Sequence, residues 1–202
     1  MQRVVPFVPP QENTPVSGIE VRALFIPKRY AHCTLENFEG YPNYVEAVKK
    51  AVDSGSTIFL HGNCGSGKTH LAVGALVRWT LRNRPSGKHA PRFLSSVDFF
   101  AELKASFDGK TDMNEESIVR MFAQKPVLLI DDVGAEKVSD WSRQVFYRLI
   151  DLRYRDCLPT YLTSNLSLDG IGEKMDDRIA SRMVSGLVLK VDAPDFRIKQ
   201  RV

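Results

Sequence analysis

Eight consecutive residues, Gly62, Asn63, Cys64, Gly65, Ser66, Gly67, Lys68 and Thr69, follow the pattern GxxxxGK[ST]. Glycines let a backbone curl until successive N–H groups point inward, where side chains would otherwise block a phosphate. Lys68 adds a mobile point charge, and a helix starting near it adds its positive end. The Thr69 hydroxyl is a hard oxygen suited to an octahedral Mg²⁺. His70 follows directly and belongs to the same group of expected contacts. This chemistry holds the β and γ phosphates of a nucleoside triphosphate, so ATP with Mg²⁺ is the first ligand to test.

A second group lies about 60 residues on, in Leu128-Leu129-Ile130-Asp131-Asp132. A carboxylate at the carboxyl end of a buried strand lands beside a phosphate loop, so Asp131 is expected to reach the metal directly or through water. Asp132 stands where a general base would polarise the attacking water, and Glu136 is the second candidate. An Asp reaches less far than a Glu by one methylene, which predicts slow turnover, as suits a switch. Farther on, Thr163-Ser164-Asn165 places an amide at the sheet edge, where it can hold the water or contact the γ phosphate. Ser164 and Asn165 suit a helix cap equally well.

These groups need strands to carry them. Thr57 to His61 is β-branched and aromatic, as a buried strand before the loop should be, and His70 to Val77 is apolar at helical spacing. Strands are also expected at Arg92 to Ser96, Val127 to Asp131, Thr160 to Thr163 and Leu187 to Val191. Helices are expected at Tyr41 to Ala51, Val97 to Phe107, Glu115 to Ala123 and Ser139 to Asp156, with two short pieces between Ser167 and Ser185. Strands alternating with helices imply a parallel sheet covered on both faces.

The chain has 202 residues, 43% of them hydrophobic, enough for one complete core. Residues 1 to about 29 carry five prolines and read as an extended arm of the kind that holds partners, ahead of a domain over 30–202. The net charge of +4 permits an acidic partner without demanding one. Cys33, Cys64 and Cys157 form no CxxC pair, and the four histidines show no ligand spacing. Reduced thiols, the lack of a leader pattern and the lack of any run near ~20 apolar residues together predict a cytoplasmic chain without a membrane partner.

Taken in order, Ile26-Pro27-Lys28-Arg29-Tyr30, Thr34-Leu35-Glu36-Asn37-Phe38, GNCGSGKTHLA, LLIDDVGAEK, LTSN and DRIASRM resemble the AAA+ ATPases. Within them they resemble the DnaC/DnaI-type helicase loaders and their IstB-like transposition relatives. The resemblance covers roughly Ile26 to Arg197 and implies a P-loop AAA+ fold with a five-stranded parallel sheet in a three-layer α/β/α arrangement. It implies that Asn165 is sensor 1, that Arg182 is an arginine finger reaching a neighbouring subunit's ATP, and that Arg197 serves as sensor 2. A finger supplied in trans is worth ~10³ to 10⁵ in rate, so assembly would gate hydrolysis.

The resemblance further implies single-stranded DNA, a replicative helicase and further copies of the chain as partners. The polar segment from about Asp108 to Glu116 falls where related initiators face DNA. Lys104, Lys110 and Arg120 would supply phosphate contacts there, and Phe99, Phe100 and Phe107 would stack on bases or, as their helical spacing favours, fill the core. Two alternatives stay open: an IstB-like helper acting on duplex DNA, and an ATP-binding adaptor with negligible hydrolysis, which Asp132 in place of the usual Glu favours. A small-molecule kinase would want a basic lid, and the sensor and SRM segments argue against it.

Overall fold

The computed structural model describes residues 24–85, 89–107 and 112–199. Five strands, β1 (Ile58–His61), β2 (Arg92–Ser95), β3 (Leu128–Asp131), β4 (Thr160–Ser164) and β5 (Leu187–Lys190), form one parallel sheet in the order β2-β3-β4-β1-β5. Helices flank it: α1 (Pro42–Asp53), α2 (Lys68–Asn83), α3 (Ser96–Phe107), α4 (Glu115–Ala123), α5 (Asp140–Arg155), α6 (Leu168–Lys174), α7 (Asp177–Met183) and α8 (Phe196–Lys199). A five-stranded parallel sheet with helices on both faces is the three-layer α/β/α arrangement that the resemblance implies.

Alternation along each strand builds two cores. Ile58 and Leu60 of β1, Phe93 of β2, Leu129 of β3 and Tyr161 of β4 pack with α1, α2 and the segment from Leu24 to Phe38. Their neighbours Phe59, Leu94, Leu128, Ile130 and Leu162 face the other way, against α3 through α7. Successive side chains of a strand point to opposite faces, so near-continuous apolar runs are what a sheet covered on both sides requires.

Local chemistry sets the helix limits. Pro42 opens α1, whose buried Val45, Val48 and Val52 share one face, and Gly55 with φ +70° follows its end. Asn114, Ser167 and Asp176 cap α4, α6 and α7 by accepting backbone N–H bonds, and Ser139 with Ser142 closes a capping box on α5.

Two features differ from the sequence expectations. Leu24 and Ile26 are buried in the first core, so packing begins inside the expected arm; residues 1–23 of that arm lie outside the described residues. After β5 the chain forms α8, a turn that short hydrophobic patterning does not announce.

Candidate functional site

The strand order determines which residues meet. From β1 the chain crosses to β2 at the sheet edge and returns through β3 and β4, so β4 lies between β1 and β3. The carboxyl ends of three strands then line up, and loops leaving them diverge to form the crevice where open α/β sheets bind ligands. The glycine loop follows β1, Asn165 follows β4 and Asp131 ends β3.

The loop is conformationally suited to phosphate. Gly62, Gly65 and Gly67 all have positive φ. A Cβ on Gly62 would meet the Val191 carbonyl, and one on Gly67 would meet the Phe38 ring, so both positions exclude larger residues. Among the described residues, no backbone carbonyl accepts from the N–H groups of Gly65, Gly67, Lys68 or Thr69. A run of unpaired donors at a helix start is an anion cradle. The buried Ser66 hydroxyl also lacks a partner among them. Cys64 and Asn63 are exposed on the loop's outer side.

Lys68 is 6% exposed, and its Nζ donates to the carbonyls of Gly62 (2.9 Å) and Asn63 (2.7 Å) and to Asn165 Oδ1 (3.0 Å). Burial pulls the ammonium below the ordinary lysine range, whereas Cys64, Asp132 and Asp131 oppose that. Asn165 Nδ2 in turn donates to Asp132 Oδ1 at 3.2 Å. The chain Lys68–Asn165–Asp132 thus repeats the strand order β1-β4-β3.

A hard-oxygen pair lies beside it. Thr69 Oγ1 donates to Asp131 Oδ1 at 2.9 Å, and Thr163 Oγ1 donates to the same oxygen at 2.6 Å. Asp131 is 8% exposed, and burial raises its pKa while the two hydroxyl donors pull it back. A small divalent cation wants such oxygens, so Thr69 and Asp131 suit Mg²⁺. Among the described residues no cluster of three His, Cys, Asp or Glu side chains offers a second cation site.

Thr163 belongs to the site although no motif assigns it a role. Besides holding Asp131, its hydroxyl accepts the Asp132 N–H at 2.9 Å. Asp132 sits at φ +59°, a left-handed conformation uncommon for a non-glycine residue, and projects its exposed side chain toward the loop. The signal available was positional: Thr163 lies two residues before Asn165, near the carboxyl end of β4.

Other expected site residues fall elsewhere. Glu136 Oε2 accepts from Ser96 Oγ (2.8 Å) and the Gly134 N–H (3.1 Å), so it braces the turn after β3 against the end of β2 instead of joining the phosphate loop. His70 Nε2 bonds Thr34 O (3.0 Å) and Asn37 Oδ1 (2.8 Å), tying α2 to the segment before α1. Arg182 is not part of this chain's own phosphate loop: it lies on α7 and pairs with Asp151 of α5. Exposed Arg197 is close enough to Lys68 to depress its pKa electrostatically.

The carboxyl-terminal segment reaches the loop as well. Val191 N–H donates to His61 O at 2.7 Å and Phe196 N–H to Gly65 O at 3.0 Å. The Phe196 ring stands edge-on to Phe38 and Tyr41 with centroids 6.0 and 6.5 Å away. Of the residues expected to face DNA, Phe99 and Phe100 are core, whereas Phe107 is 60% exposed and leans on Trp141. Arg120 pairs with Glu116, and Lys110 lies outside the described residues. No helix among the described residues is long and apolar enough to cross a membrane.

Comparison with known proteins agrees with this geometry. Residues 47–201 match the family model of IstB-like ATP binding proteins. The replicative helicase loader DnaC of Buchnera aphidicola subsp. Baizongia pistaciae is 27% identical over 170 residues, covering 80% of this chain and 67% of the loader. The initiator DnaA of Neisseria meningitidis serogroup B is 32% identical over 142 residues, 70% of this chain but only 26% of the initiator. A crystal structure of the DnaC helicase loader superposes with a TM-score of 0.69 at 23% identity, covering 81% of this chain and 99% of that one. DnaA bound to AMPPCP and single-stranded DNA gives 0.67 at 25% identity, and this chain spans 82% of itself and 50% of that chain. The chain belongs to the IstB-like ATP-binding family of AAA+ domains.

Proposed function

We infer that this protein is an ATP-dependent AAA+ switch of DNA replication that binds single-stranded DNA and helps to deposit a replicative helicase. The observation that carries the nucleotide part is the hydrogen-bonded set Lys68–Asn165–Asp132 beside Thr69–Asp131, at the carboxyl ends of three adjacent strands. Gly62 to Thr69 would bind the phosphates, and Thr69 with Asp131 would hold Mg²⁺, which would supply neutralisation of phosphate charge. Asp132 takes the proton of the attacking water, and Asn165 orients both the water and that carboxylate. Arg182 serves a neighbouring copy, and Arg197 contacts the nucleotide within its own chain.

The helicase part is supported by loader relatives matched along four fifths of the chain, and single-stranded DNA by the initiator complex of the same fold. The family model favours a second reading, an IstB-like helper acting on duplex DNA. ATP hydrolysis with either DNA form, combined with pull-down from the native host in ATP and in a slowly hydrolysed analogue, separates them. Recovery of replicative helicase with stimulation by single strands is expected. Recovery of a transposase with stimulation by duplex transfers the protein to the second reading, and recovery of neither with no turnover leaves an ATP-binding adaptor.

A further inference from the structure

Every nitrogen of the Arg182 guanidinium is engaged within its own chain. Nε and Nη2 donate to Asp151 Oδ1 at 3.1 and 2.5 Å, Nη2 also donates to the Tyr147 hydroxyl at 3.0 Å, and Nη1 donates to Arg178 O at 2.9 Å. Its carbon lies 4.9 Å from the Tyr147 ring centroid and 5.5 Å from that of Tyr154. Both partners of the ion pair are largely covered, with side-chain exposures of 21% and 18%. Asp151 is held in turn from the other side by Arg155 Nε on Oδ2 at 3.1 Å.

A guanidinium recognises a phosphoryl group through the same planar N–H fork that here grips a carboxylate. The two anions cannot occupy one fork together. The geometry points to Asp151, with Tyr147, as a latch that stows Arg182 against α5, so that delivery of this arginine to a neighbour's nucleotide requires exchange of the Asp151 carboxylate for a phosphoryl anion. This rests on the proposed action of Arg182 on a second copy of the chain. The latch raises the concentration at which assembly activates turnover without entering the reaction itself. An unassembled copy therefore keeps its finger withdrawn.

The test separates finger donor from finger acceptor. An Arg182→Ala protein holds a complete nucleotide site without a finger, and a Lys68→Ala protein offers a finger without a working site. Titrating the second into the first is expected to restore ATP turnover. Adding Asp151→Asn to the donor is expected to lower the half-maximal donor concentration about three- to tenfold with the plateau unchanged, the range of one partly covered charged hydrogen bond. Tyr147→Phe in the donor keeps the ring, removes the hydroxyl and is expected to shift the same midpoint less; it carries the test if Asp151→Asn does not fold by circular dichroism. Rescue by the Lys68→Ala donor with an unmoved midpoint overturns the latch alone. A lowered plateau also overturns it, since Asp151 would then orient the finger for the reaction. Absence of rescue by every donor overturns the trans reading and the latch together.

Discussion

Lys68 Nζ lies 3.0 Å from Asn165 Oδ1, a contact between residues 97 positions apart, and the same amide donates to Asp132. An ammonium and a carboxylate thereby orient one amide from its two ends, oxygen toward the cation and nitrogen toward the anion. The amide supplies an acceptor and a donor on separate atoms of one planar group, and Gln would displace that group by a methylene.

Replacing Asn165 by Asp keeps the bond from Lys68 but sets a second carboxylate against Asp132. Asp132 should swing away, and turnover should fall ~10²- to 10³-fold, the usual cost of one preorganised group, while nucleotide binding stays within a fewfold of wild type. Single-turnover hydrolysis and equilibrium binding measured together check this. A loss confined to binding would remove Asn165 from the reacting end of the site.

Lys68→Ala strikes earlier. The substitution removes a cation already desolvated and aimed into the cradle, so ATP should bind at least ~100-fold more weakly by about 3 kcal/mol. Fluorescent-nucleotide titration reads the loss. The fold should survive, because the carbonyls of Gly62 and Asn63 that it leaves can turn to water at the loop surface.

Arg182→Ala should bind ATP normally and differ from wild type only where copies meet. At dilutions that keep copies apart the two should turn over ATP equally, and at associating concentrations the wild type should be faster by ~10³ or more. A concentration series of initial rates makes the comparison. Equal rates throughout would return Arg182 to a purely structural role, holding α7 against α5.

Much of this was open to sequence reading because local rules govern it. The glycine loop, the acid after an apolar run and the helical spacing of α4 and α5 each announce themselves within a dozen residues. The placement of β4 between β1 and β3 does not, since strand order depends on contacts distant in the chain, and with it went the bridging position of Asn165 and the double duty of Thr163. By spacing alone Glu136 is the second candidate for the base, after Asp132. The left-handed Asp132 and the Gly134 turn (φ +87°) reverse the chain there, so that Glu136 points back to Ser96. Phe107 has the spacing of its core neighbours but lies at the end of α3, where it is 60% exposed and meets the edge of Trp141.

Arg153 should be a stability residue with no part in nucleotide binding. It is wholly buried on α5, and it donates to the carbonyls of Phe122, Ala123, Lys125 and Pro159 and to the Thr160 hydroxyl. Burial pulls its guanidinium below the ordinary arginine range, and the Asp156 carboxylate opposes that electrostatically. Arg153→Met fills the volume but strands the acceptors. A loss of about 3 kcal/mol, or roughly 6–12 °C in Tm, is expected by calorimetry, with ATP affinity unchanged.

Asp131→Asn should stabilise the nucleotide-free fold while abolishing metal-dependent turnover. The folded carboxyl ionises above the ordinary aspartate value because burial disfavours its charge, with the Thr163 and Thr69 hydroxyls only partly compensating. Between the unfolded and the folded pKa the native state holds more protons than the unfolded chain, so stability falls as pH rises through that window. Above it the charged, buried carboxylate remains a standing cost. Asn keeps an oxygen that accepts both hydroxyl bonds without the charge. Its Tm should therefore exceed that of the wild type near neutral pH by about 2–4 °C, as for ~1 kcal/mol in a chain of this size, and the gap should close as the pH is lowered through the carboxylate range. Adding Mg²⁺ with ATP should reverse the order, since the cation needs the charge that the fold alone would shed. A gap that widens in acid would show that Asp131 is charged and favourably paired without the metal.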